Sequence, residues 1–282
     1  MTGDAITVRG LVKEYRPSSG AAALAVIRGL DMSVRKCEFV CILGPSGCGK
    51  STLLNILAGL ERRYTGHIVV GGREMRRGGA TTRIGYLFQE ARLLPWLTAE
   101  RNVDFALRAC KVVRNVWPEL KDRYFALTGL AAFRHYYPHQ LSGGMRQRLA
   151  LARALAVEPG ILLMDEPFSG LDELTARRMR MDLLRIWGET RKTIVFVTHN
   201  AYEASFLADR ILLMAQGQVH REIAVPLPRP RDYDDPAVFA VNRDVVRLFL
   251  EVAEASSDRV PHAGEADRKI VTFDRAGKQH SA

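Results

Sequence analysis

Residues 44 to 51 read Gly-Pro-Ser-Gly-Cys-Gly-Lys-Ser, and this stretch constrains the fold more than any other in the chain. Just before it, Glu38 to Leu43 is a short, mostly apolar run that reads as a buried strand. Just after it, Thr52 to Leu60 carries apolar residues at helical spacing. Strand, glycine-rich loop and helix together form the context a phosphate-binding loop requires. Gly44, Gly47 and Gly49 let the backbone curl until successive N–H groups point at phosphate oxygens. The helix N-terminus adds partial positive charge. Lys50 is then expected to reach the β- and γ-phosphates of a nucleoside triphosphate, and the Ser51 hydroxyl to ligate Mg²⁺. Pro45, Ser46, Cys48 and Thr52 complete the segment expected to wrap the nucleotide.

A second apolar run, Ile161 to Met164, ends in Asp165 and Glu166. A buried strand delivering acids at its C-terminal end suits an α/β fold with a parallel sheet, where ligands bind at that edge. Asp165 is a candidate for the Mg²⁺ shell. Side chains alternate along a strand, so Glu166 need not point the same way. It is the candidate base for activating an attacking water.

Downstream, Gln140 to Arg148 reads Gln-Leu-Ser-Gly-Gly-Met-Arg-Gln-Arg and leads into a helix expected over Arg146 to Ala156. With the P-loop and the Asp165–Glu166 strand, this segment makes the chain resemble the ATP-binding cassette (ABC) family. Further motifs stand in the family's order: Gln89 ending Arg83 to Gln89, Ser169 to Asp172, His199 ending Thr193 to His199, and Tyr15 in Val12-Lys-Glu-Tyr. The resemblance covers roughly residues 5 to 215. It implies ATP as the nucleotide and a head-to-tail homodimer, in which Ser142, Gly143 and Gly144 touch the γ-phosphate held by the facing subunit. It implies that Gln89 senses Mg²⁺ and the attacking water, that His199 contacts the γ-phosphate, and that Tyr15 stacks on adenine. It also implies the fold: a P-loop NTPase of α/β class with a mixed sheet core, an antiparallel β subdomain, and a helical subdomain inserted at about 90–157. Three residues depart from the family pattern: Gly170 for alanine, Asn200 for aspartate, and Cys37 for glycine at a turn. Cys37 strains that turn if φ is positive there.

The cassette is expected over 5–225, followed by an extension over 226–255. Val225 to Arg231 is proline-rich and expected to be extended. Val238, Val241, Val245, Leu248, Phe249 and Val252 then fall on one helical face. The simpler reading packs that face on the chain's own core, and a partner helix is the alternative. Residues 256–282 are polar and charged and are expected to be disordered.

No apolar stretch approaches the ~18 residues that span a bilayer, and Met1-Thr-Gly-Asp lacks a signal-peptide pattern. Transport would therefore need permease subunits in the membrane, with this chain peripheral on the cytoplasmic face of the bacterial inner membrane. The formal charge of +10 suits an anionic leaflet. It also leaves open a soluble cassette ATPase acting on nucleic acid or ribosomes, although no base-stacking aromatic pattern is visible. A single cassette with a short helical insertion favours transport, and no nucleic-acid partner is expected. Leu93 to Thr98, Gly143 to Arg148 and Leu227 to Arg231 look most like the nitrate, sulfonate and taurine importers, which also use an extracytoplasmic solute-binding protein.

Overall fold

A computed structural model describes residues 3–15, 23–75, 83–257, 272–273 and 279–280. Two sheets organise the chain. The larger has the strand order β10-β9-β3-β8-β7-β6. Its strands are β3 (Phe39–Leu43), β6 (Ile84–Leu87), β7 (Ile161–Asp165), β8 (Thr193–Thr198), β9 (Arg210–Ala215) and β10 (Gln218–Ala224). All neighbouring pairs run parallel except β9 with β10, an antiparallel pair turned at Gln216 and Gly217. The smaller sheet is antiparallel and comprises β1 (Asp4–Tyr15), β2 (Leu24–Arg35), β4 (Thr65–Val70) and β5 (Arg73–Glu74) in the order β2-β1-β4-β5.

The central strands are apolar throughout because both of their faces are covered. In β3, Phe39, Cys41 and Leu43 enter one core, and Val40 and Ile42 enter the other. β8 divides the same way, with Ile194 and Phe196 opposite Val195 and Val197. The first core is filled from helices α4 (Gly143–Ala156), α5 (Glu173–Thr190) and α6 (Ala201–Leu207). The second is filled by Leu53, Leu54, Ile56 and Leu57 of α1 (Lys50–Leu57) together with the inward face of the antiparallel sheet.

Helices α2 (Ala99–Ala109) and α3 (Trp117–Leu127) both pack on α4. Thr98 caps α2 by accepting from Arg101 N at 3.3 Å, as its residue type predicts. Fully buried Asn102 ties down the preceding loop. It accepts from Leu94 N at 2.8 Å and donates to the carbonyls of Leu94, Leu97 and Thr98. The helix after the signature segment begins at Gly143, three residues before the expected Arg146. Ser142 explains the difference, since its side chain caps the new first turn by accepting from Met145 N at 3.3 Å.

The extension folds back on the cassette. In α7 (Pro236–Ser257), Val238 and Val245 are fully buried, and Val241, Leu248, Phe249 and Val252 pack on the larger core. The apolar face is thus satisfied within the chain. Most of the tail expected to be disordered lies outside the described residues, which resume only in the short paired strands β11 (Thr272–Phe273) and β12 (Gln279–His280). The sequence also predicts a turn-rich stretch at Gly78-Gly79, which lies outside the described residues.

Because Val245 is fully buried, Val245→Ala should lower unfolding free energy by about 2 kcal/mol in urea titration of the whole chain. A change near zero would mean that α7 does not rest on this core.

Candidate functional site

The C-terminal ends of β3, β6, β7 and β8 lie side by side in parallel register, with Leu43 opposite Thr198 and Leu87 opposite Met164. The loops that follow carry the P-loop, Gln89, Asp165–Glu166 and His199. They converge on a cleft of about 340 Å³ lined by Ser46, Gly47, Gly49, Lys50, Ser51, Thr52, Gln89 and Glu166, with Val26 at its rim. Gly47 and Gly49 have φ of 80° and 105°, the left-handed backbone that lets the loop curl. Gly44 is required by space. A Cβ there would lie 2.2 Å from the Met214 carbonyl oxygen on β9 and 2.8 Å from Cys48 Sγ.

Lys50 is buried and closes the loop on itself, its Nζ donating to the carbonyls of Gly44 at 2.8 Å and Pro45 at 2.9 Å. Its Nζ also lies 3.8 Å from Glu166 Oε1. The other oxygen of Glu166 is 2.8 Å from His199 Nδ1, so the carboxylate is held between lysine and imidazole. Glu166 adopts φ of 44°, and its N–H donates to Val197 O at 3.0 Å. That left-handed backbone is a strained conformation for a non-glycine residue. Here it carries the carboxylate past the end of β7 and towards β8.

The Ser51 hydroxyl donates to Asp165 Oδ1 at 3.0 Å. Burial pushes the Asp165 carboxyl up from the usual carboxylate range, the Ser51 hydrogen bond pulls it back, and neighbouring Glu166 adds to the upward push. Tyr86 donates to Asp165 Oδ2 at 3.4 Å and to Asn55 Oδ1 at 3.2 Å. Sequence reasoning missed Tyr86, whose only signal is its place in the strand that leads to Gln89. Gln89 Nε2 donates to Ser169 Oγ at 3.1 Å, and Ser169 donates to the Glu166 carbonyl at 3.0 Å.

Two groups of expected site residues lie elsewhere. Tyr15 ends β1, is 42% exposed and has Lys13 Nζ 4.3 Å from its ring centroid. It lines a separate cleft with the segment from Glu61 to Thr65. Ser142, Gly143 and Gly144 open α4 outside the P-loop cleft; Gly143 lines a groove shared with Gln89, Arg146 and Gly170. Gly144 packs tightly there, since a Cβ would meet Thr175 Cγ2 at 2.6 Å.

The departures from the family pattern have structural outcomes. Cys37 has φ of 59°, so the strained turn is present, and its N–H donates to Thr193 Oγ1 at 3.0 Å. Asn200 caps α6, its Oδ1 accepting from Tyr202 N at 2.9 Å and Glu203 N at 3.2 Å. The capping role that aspartate would play is therefore kept without its charge. At Gly170 an added Cβ meets nothing within 4 Å, and φ lies outside the left-handed region.

These two glycines give a paired test. Gly44→Ala should cost about 3 kcal/mol in thermal or urea unfolding, with loss of nucleotide affinity, because a rigid carbonyl blocks the new methyl. Gly170→Ala should stay within about 0.5 kcal/mol of the parent.

Comparison with known proteins bears on the same elements. The family model described as ABC transporter matches residues 27–169. The aliphatic sulfonates import ATP-binding protein SsuB of Bacillus licheniformis is 40% identical over 242 residues, 84% of this chain and 92% of that protein. The nitrate import ATP-binding protein NrtD of Synechococcus elongatus is 38% identical over 211 residues, 73% of this chain and 76% of that protein. Among solved structures, a dimeric ATP-binding cassette in a post-hydrolysis state with ADP and Pi superposes with a TM-score of 0.69 at 30% identity. It covers 79% of this chain and 100% of that one. Sequence, fold and convergent loops agree, and the chain belongs to the ABC transporter family as one of its ATPase cassettes.

Proposed function

We propose that this chain is the ATP-hydrolysing subunit of a bacterial importer, working as a head-to-tail homodimer beneath integral membrane permease subunits. The observation that carries the reading is the division of the site. One chain builds the phosphate cradle and holds Glu166 between Lys50 and His199, while Ser142 to Gly144 open α4 outside that cleft. A helix N-terminus is a ready anion site, so a second copy completes what one copy leaves open. The solved dimeric cassette with ADP and Pi supports this arrangement.

ATP and Mg²⁺ fit the residues present. The curled P-loop and Lys50 suit a polyphosphate. Ser51 and Asp165, 3.0 Å apart, supply the hard oxygen ligands that Mg²⁺ takes, and burial beside Glu166 leaves Asp165 short of positive charge. Mg²⁺ would neutralise developing phosphate charge. Glu166 takes the proton of the attacking water, with His199 fixing the direction of its carboxylate. Gln89 orients that water and, through Ser169, shares its hydrogen-bond network with the Glu166 carbonyl. Tyr15, whose exposed ring lines the separate cleft with Glu61 to Thr65, is the residue that the family resemblance assigns to adenine stacking. Ser142 and the N–H groups of Gly143 and Gly144 meet the facing γ-phosphate.

No helix among the described residues is long and apolar enough to cross a membrane. Relatives named as import ATP-binding proteins support reading the chain as peripheral, docked from the cytoplasmic side. Relatives named for aliphatic sulfonate and nitrate import point to a small anion as cargo, delivered by an extracytoplasmic binding protein. The cassette alone does not read that cargo, because specificity resides in the partner subunits.

Three variants test the site. Lys50→Ala should lose MgATP affinity in calorimetry, since the γ-phosphate loses its charge partner. Glu166→Gln should bind MgATP normally and hydrolyse it roughly two to four orders of magnitude more slowly. The Gln variant should run as a dimer on a sizing column with MgATP and as a monomer with ADP, and adding Ser142→Arg should abolish the dimer. Wild-type hydrolysis by Glu166→Gln would remove Glu166 from its role. A dimer that survives the Ser142 change would end the head-to-tail reading.

A further inference from the structure

Another cavity, of about 570 Å³, shares no lining residue with the nucleotide cleft. Its walls are α5, Phe206 near the end of α6, and the Arg229–Arg231 segment that follows β10. The volume falls within the range of small-molecule sites. Trp187, only 4% exposed, forms part of the wall with Met181 and Leu184. At Gly188, which also lines it, a Cβ would meet nothing within 4 Å. Gly188 is itself exposed, so this open space lies at the mouth of the cavity, where a side chain would fit.

The charges around this cavity are unbalanced. Arg185, Arg191, Arg229 and Arg231 line it, against the single carboxylate of Asp182. Glu189 pairs with Arg185, and Asp209 accepts from Arg229 Nη2 at 2.8 Å. Arg231 is 8% exposed, and the partners of its guanidinium are all backbone carbonyls, those of Ser205, Phe206, Ala208, Val225 and Leu227. Its Nε is buried without a hydrogen-bond partner, and so is Arg229 Nη1. Burial first, then neighbouring Arg229, pushes the Arg231 pKa down to about 10. Buried donors without acceptors are costly, and Arg231 has no carboxylate among its hydrogen-bond partners, only the field of Asp209, which it shares with Arg229; an anion relieves both. The Arg229 guanidinium carbon also lies 4.3 Å from the Trp187 ring centroid, so a polar end and an apolar wall adjoin.

We propose that this cavity binds a small organic anion. Its carboxylate or sulfonate group contacts Arg229, with the charge of Arg231 behind it, and its apolar body lies along Trp187 into the space beside Gly188. The site is independent of the nucleotide cleft and of any transported cargo.

The test is calorimetric titration of the full-length chain with 1-hexanesulfonate, with the nucleotide cleft saturated by MgADP, and with 1-hexanol as the uncharged control. Hexanesulfonate should bind saturably at one site per chain, and hexanol should give no saturation. Gly188→Leu places a bulky side chain at the mouth of the cavity from a helical position with open space, so it should keep the parent melting temperature and abolish binding. Arg229→Met should weaken binding by at least about tenfold; should that variant fail to fold, Gly188→Leu decides alone. The proposal is overturned if no saturation is reached by about 10 mM, if hexanol binds as well, if Gly188→Leu binds normally, or if MgADP competes with the probe.

Discussion

The parallel ladder joining β3, β8, β7 and β6 is the constraint on which the site depends. β3, β8 and β7 are buried on both faces, edge strand β6 buries Leu87 and half-buries Ile84 and Tyr86, and the side chains alternate between two cores. A slip of one residue in any strand would exchange the two cores' side chains. It would also move a loop about 3.3 Å along the sheet, enough to break a contact such as Ser51 to Asp165 at 3.0 Å. The chemistry at the sheet edge is therefore held in place by apolar packing deep below it. Hydrogen bonding extends the ladder one step further, from Glu166 N to Val197 O, and so ties the strained carboxylate residue to the strand that carries His199.

A charged network under the site joins it to the C-terminal extension. Buried Glu203 accepts from Thr198 Oγ1 at 2.6 Å and from Arg180 Nε at 3.1 Å. Arg180 also donates to Glu173 and to the Tyr233 hydroxyl. Glu173 follows Asp172, the cap of α5, and Thr198 precedes His199. Breaking such a buried network by removing one partner leaves the others uncompensated. The segment around Tyr233 is thus anchored to the two loops that frame Glu166, rather than being a loose appendage to the cassette.

Much of this was legible in the sequence because the strongest signals are local. The run before Gly44, the three glycines and the helix after Lys50 each have a period or a steric demand that can be read without partners. Asp165 and Glu166 stood out as two acids at the end of an apolar strand. What could not be read was relative placement. Tyr86 meets Asp165 only because β6 and β7 are neighbours, and strand order leaves no mark on either segment. Gly44 reads in the sequence as one of three glycines that let the loop curl, whereas its need is the Met214 carbonyl on a strand about 170 residues away, counted from the numbering. The alternation of Val238, Val245 and their neighbours fixed a face but not its occupant, since own core and partner helix impose the same 3.6-residue period. The cavity beside Trp187 is built from α5, α6 and the Arg229–Arg231 segment, and no sequence window contains it.

The burial of α7 has a further consequence for how this chain tolerates change. A terminal helix is commonly treated as expendable, yet here it covers apolar surface on α6, the short helix whose cap sits one residue after His199. Shortening the chain before about residue 252 would uncover a greasy face next to the site and invite self-association. α7, the last helix among the described residues, therefore acts as a cover for the half of the molecule that carries the candidate site, and a position late in the sequence is a poor guide to which residues the protein could lose.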